Sequence, residues 1–108
     1  SWCIPCRKEM PEIVNAYNAH KDSGFVVVAV DLQENADQVR TFAKEFGMTF
    51  PIVIDRDGSV GDAWRIGGPV QGIPSSYFLD AAGVVQARVF GPMTAETIAE
   101  DLAKIGVK

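Results

Sequence analysis

The 108-residue chain has two cysteines, both near its start in Ser1-Trp2-Cys3-Ile4-Pro5-Cys6. Two thiols separated by two residues at a helix start can close a small disulfide, and the free backbone N–H groups there stabilise a thiolate. Thiol–disulfide exchange needs an accessible attacking thiolate and a second thiol close enough to resolve the mixed disulfide. Cys3 and Cys6 fit these roles in that order, with Cys6 one turn further in and more shielded. Arg7 and Lys8 add positive charge nearby, and their first reading is a solvated helix face, because exposed charges interact weakly. Glu9 follows Cys6 by three residues, one turn along the same face. Its carboxylate either reaches back to tune Cys6 or is an ordinary exposed helix glutamate. Trp2 either shapes a docking surface or packs against the sheet, which is the commoner use of a tryptophan.

Metal binding is the main competing use of a Cys-x-x-Cys. Structural zinc needs four ligands, and beyond the two thiols the chain offers only His20 as a further imidazole or thiol. A Cu(I) carrier asks for less, two thiolates with His20 as a candidate third ligand, and is the alternative from the binding class. Two cysteines are too few for a disulfide framework, so the pair reads as redox-active, with its own disulfide as the only cofactor and no resident metal.

These residues must be positioned by a chain of modest size. With 47% apolar and 22% charged residues it is composed for one globular domain. A net charge of −4 argues against a general nucleic-acid binder, which needs a basic surface to release counterions. The longest apolar run, residues 25–30, falls far short of the ~20 residues of a membrane-spanning helix. A signal or anchor would lie ahead of Ser1, so composition is silent on compartment.

Pro5 is tolerated in a first helical turn, and Met10, Ile13, Val14 and Tyr17 follow at helical spacing, which predicts a helix over about 5–20 with a kink at Pro11. Residues 25–31, continuous and β-branched, predict a strand buried on both faces. Ala36, Val39, Phe42, Ala43 and Phe46 predict a second helix with Asn35 as N-cap and Gly47 past its end. Residues 51–55 predict a short strand stopped by Asp57-Gly58, and Val60, Ala63 and Trp64 a short helix. Two apolar runs, 75–80 and 84–90, are joined by Asp80-Ala81-Ala82-Gly83 as an antiparallel hairpin. Thr94 caps a last helix bearing Ile98, Leu102 and Ile105. Strands alternating with helices, followed by a hairpin, imply a mixed sheet with helices on both faces.

At Trp2-Cys3-Ile4-Pro5-Cys6-Arg7-Lys8-Glu9-Met10-Pro11 the sequence closely resembles the thioredoxin-like reductases of the TlpA/ResA type. A second block, Gly72-Ile73-Pro74-Ser75-Ser76-Tyr77-Phe78-Leu79-Asp80, resembles that family's proline loop and following strand. The stretch 66–72 is a few residues longer than the usual connection. The resemblance implies an α/β thioredoxin-like mixed sheet over residues 1–108, lacking the strand that normally precedes the Cys-x-x-Cys, and hence a domain incomplete at its N-terminus.

It implies a protein-disulfide oxidoreductase working in the reductase direction. Cys3 attacks, Cys6 resolves, Glu9 acts near them, and Pro74 shapes the groove after a cis Ile73-Pro74 bond. Trp2, Ile4, Pro5 and the backbone of Ile73 would meet the substrate. The implied partners are a protein disulfide and an upstream thiol donor, in an extracytoplasmic bacterial setting such as cytochrome maturation, with any membrane tether outside this chain. A thiol peroxidase of the same fold is a further alternative, although its Thr-x-x-Cys pattern is missing.

Overall fold

The computed structural model describes residues 4–32, 35–64 and 74–107. Helix α1 spans Ile4–His20 and continues as α-helix through Pro11. It buries Val14 and sends Ile13 and Ala16 toward the main core, while the Tyr17 ring meets Phe50 edge-on, with centroids 5.3 Å apart. A 3-10 turn, Lys21–Ser23, ends at Gly24, whose φ of +87° suits only a residue without a β-carbon.

Strand β1 (Ala29–Leu32) pairs in parallel with β2 (Ile52–Asp55). Between them α2 (Ala36–Phe46) is closed by a capping box. Asn35 Oδ1 accepts from the Gln38 N–H at 2.8 Å, and Gln38 Oε1 accepts from the Asn35 N–H at 3.1 Å. The buried carboxylate of Asp55 accepts the Val60 and Gly61 N–H groups at 3.1 and 2.8 Å, turning the end of β2 into α3 (Ser59–Ala63).

Strands β3 (Ser75–Leu79) and β4 (Val85–Phe90) form the expected antiparallel hairpin, with a register irregularity between Phe78 and Leu79. Asp80 holds the connection by accepting the Ala82 and Val84 N–H groups on one carboxylate oxygen. The last helix, α4 (Ala95–Lys104), starts at Thr94, whose hydroxyl accepts from the Thr97 N–H. Phe78, Met93, Ile98 and Leu102 form the buried core, flanked by Ala87, Val89, Ile13 and Ala16. Helix α4 packs on β4, and α1 contacts α4 on one side and α2 on another.

Both parallel and antiparallel pairing occur, as the mixed α/β reading expects, and among the described residues the strands fall into two two-stranded sheets, β1–β2 and β3–β4. One expectation about the strands is corrected. Residues 25–31, expected to be buried on both faces, are covered on one side only, because Val26, Val28 and Val30 are 69%, 57% and 41% exposed. The physical reason is the shortness of the ladder. Among the described residues only Ala29–Leu32 finds a strand partner, and 25–28 lie outside either ladder.

Candidate active site

Cys6 sits in the first turn of α1, half-buried, and is disulfide-bonded. The sequence holds one other cysteine, Cys3, which lies outside the described residues together with Trp2 and Ile73, as does the Ile4 side chain. The cis Ile73-Pro74 bond and the longer 66–72 connection therefore also fall outside the described residues. Pro5 is exposed beside Cys6, as a surface-contact role requires.

Glu9, one turn beyond Cys6, is not a solvated helix glutamate. It is only 4% exposed, and its Oε2 accepts the Met93 N–H at 2.8 Å. Burial raises its carboxyl pKa above the usual carboxylate range, and the Met93 donor offsets part of that rise. Two residues before Met93, the Gly91 N–H donates to the Pro74 carbonyl at 2.8 Å. The turn leaving β4 thus grips α1 through Glu9 and the base of the proline segment through Pro74, which is itself buried. Gly91 adopts a φ of +115°, in the region that favours glycine, so this double attachment depends on the absence of a side chain there.

On α1's other side the structure corrects the solvated-face reading for Arg7, while Lys8 is exposed as expected. Arg7 pairs with Glu45 of α2, and its guanidinium lies over the rings of Phe46 and Phe42, 5.2 and 5.6 Å from their centroids. A flat, weakly hydrated cation is suited to such stacking. Met93, Gly91, Glu45 and the Phe42/Phe46 pair were not singled out from sequence as site residues with these roles. The one local signal was the i, i+4 spacing of Phe42 and Phe46, which marks an aromatic stripe without naming what it meets.

The Cu(I) reading does not gain His20. That residue ends the same helix, about 21 Å from Cys6 at a rise of 1.5 Å per residue. Among the described residues no cluster of three or more His, Cys, Asp or Glu side chains is arranged to hold a metal.

A half-buried, disulfide-bonded cysteine on a helix N-terminus, set among a strand–helix alternation and a terminal hairpin, defines a thioredoxin-like α/β domain. Residues 1–88 match the AhpC/TSA family, and the chain belongs to it. It is 38% identical over 105 residues to the thiol-disulfide oxidoreductase ResA of Geobacillus kaustophilus (strain HTA426), an alignment covering 97% of this chain and 58% of that protein. The chain thus spans less than two thirds of this relative's length. The crystal structure of StoA from Bacillus subtilis superimposes with a TM-score of 0.76 at 36% identity, covering 94% of this chain and 75% of that one. A thiol:disulfide interchange protein of the thioredoxin family from Chlorobium tepidum TLS gives 0.83 at 27% identity, covering 96% and 72%.

Proposed function

We propose that the chain is a thiol–disulfide oxidoreductase that reduces protein disulfides through Cys3 and Cys6. The observation that carries this reading is the disulfide-bonded Cys6 in the first turn of α1, with a buried carboxyl one turn behind it. Similarity to named thiol-disulfide oxidoreductases supports it.

In the reduced chain Cys3 attacks one sulfur of the substrate disulfide as a thiolate, forming a mixed disulfide and expelling one substrate thiolate, which takes up a proton. Cys6 then attacks the Cys3 sulfur, closing the internal disulfide and releasing the second substrate thiol. Two electrons and two protons pass to the substrate. An upstream dithiol donor returns them to the pair. In this reading Glu9, buried one turn along α1 from Cys6, takes the proton that Cys6 gives up, a role its raised affinity for protons suits. Pro74 bounds the groove, with Pro5, Ile4, Trp2 and the Ile73 backbone as the surface a substrate segment meets.

Direction depends on the poise of the partners. The Ile-Pro between the cysteines resembles the reductase pattern, and an extracytoplasmic setting with an oxidised Cys-x-x-Cys-His segment of a cytochrome precursor as substrate agrees with it. Among the described residues no helix is long and apolar enough to cross a membrane, so any tether belongs outside them.

Cys6→Ser should trap a mixed disulfide through Cys3 with insulin and with an oxidised Cys-x-x-Cys-His peptide, released by dithiothreitol. Cys3→Ser should trap none. No adduct with either probe counts against the scheme, whereas rapid turnover of hydrogen peroxide would favour the peroxidase alternative.

A further inference from the structure

We propose that Arg7 is a positioning residue for the redox pair, seating the first turn of α1 on an aromatic platform of α2; this rests on the disulfide-exchange reading above. Residues two apart on an α-helix point about 200° from each other, so Arg7 and Glu9 leave α1 on nearly opposite sides. Glu9 ties one side to the turn after β4 through the Met93 N–H. Arg7 ties the other side to α2, through Glu45 and through the rings of Phe42 and Phe46.

The platform is built for this. The two rings pack against each other with centroids 4.7 Å apart, and the capping box locks the start of the helix that carries them. The Arg7 and Glu45 side chains are 37% and 46% exposed, so the ion pair alone contributes little. It is the flat guanidinium lying over both rings that fixes a direction. A lysine would keep the charge and lose that geometry. Because Cys6 immediately precedes Arg7, a tilt of the first turn moves the resolving sulfur relative to its partner, and exchange rates respond steeply to such misplacement.

The experiment follows the reduced chain reacting with oxidised glutathione from about pH 5 to pH 9, a range spanning ordinary and lowered thiol pKa values. At oxidised glutathione concentrations high enough that closure of the internal disulfide by Cys6 limits the rate, the pH midpoint reports the attacking thiolate's electrostatics and the plateau rate reports geometry. Arg7→Lys should leave the midpoint in place and lower the plateau about threefold to tenfold, approaching Arg7→Met. A plateau for Arg7→Lys equal to the parent's overturns the proposal, as does a midpoint shift in Arg7→Met with an unchanged plateau. A parent chain that does not react with glutathione overturns the exchange reading instead. The seat is then decided by thermal unfolding of Arg7→Met, Phe46→Leu and the double variant. Losses that do not add support it, and additive losses overturn it.

Discussion

The two regions that α1 joins are held together by different physics. Toward α4 and the β3–β4 hairpin, the contact is a sealed core of Phe78, Met93, Ile98 and Leu102, and the polar link inside it is a buried carboxyl receiving a backbone N–H. Toward α2, the link is a half-exposed cation stacked on two rings, and the neighbouring β1–β2 pair leaves Val30 and Val53 open, with Val28 open just ahead of it. The difference teaches where stability resides and where adjustment is cheap. The hairpin side holds Glu9 and Pro74 through one turn, and the α2 side sets the tilt of the turn bearing Cys6.

The sharpest way to break this contrast is to hollow out the sealed side. Leu102 is 2% exposed, so Leu102→Ala should destabilise by about 3 kcal/mol, measured by urea unfolding, whereas a loss near that of a surface site would mean that α4 is not the anchor. Next in size is Glu9→Ala, which leaves the buried Met93 N–H without its acceptor and should cost about 2 kcal/mol. A loss below about 0.5 kcal/mol, the size of an ordinary surface change, would show that this link carries no weight.

Glu9→Gln keeps an acceptor and removes the charge. Burial raises the Glu9 pKa in the folded chain, so over the interval above its unfolded value the folded chain holds a proton that the unfolded chain has released. Stability from this group is full below the unfolded pKa and is lost as pH rises through the raised one. The Tm of Glu9→Gln minus that of the parent should therefore increase as pH rises through that interval. A flat or falling difference would contradict burial as the dominant influence. The smallest effect belongs to the open side: Val28→Thr, at a position 57% exposed, should change stability by no more than about 0.5 kcal/mol. A loss above about 1 kcal/mol would mean that the valine face is covered in solution.

Features set by local chemistry are legible in the sequence. The helix over Ile4–His20, the Asn35 and Thr94 caps, the stop at Gly47 and the Asp80-Ala81-Ala82-Gly83 turn all follow from side-chain and backbone rules acting within a few residues. The exposure of Val26, Val28 and Val30 is not legible, because periodicity in residues 25–31 reports how apolar a strand is and says nothing of how many neighbours it finds. For Glu9, the spacing places it beside Cys6, yet its hydrogen-bond donor is Met93, 84 positions away. Arg7 misleads for the same reason. A basic residue on a helix reads as solvated until an aromatic pair from another helix is brought beneath it.

The account stands on Cys3 and Cys6 working as one reversible two-electron pair. Equilibrating the chain across a series of glutathione redox buffers, quenching with an alkylating agent and weighing the products by mass spectrometry tests this directly. The predicted result is a single transition from a doubly alkylated dithiol to an unalkylated internal disulfide, with the sigmoid of a two-electron couple and no lasting glutathione adduct. Two independent one-thiol transitions, or stable glutathionylation of Cys6 in place of the internal bond, would contradict it.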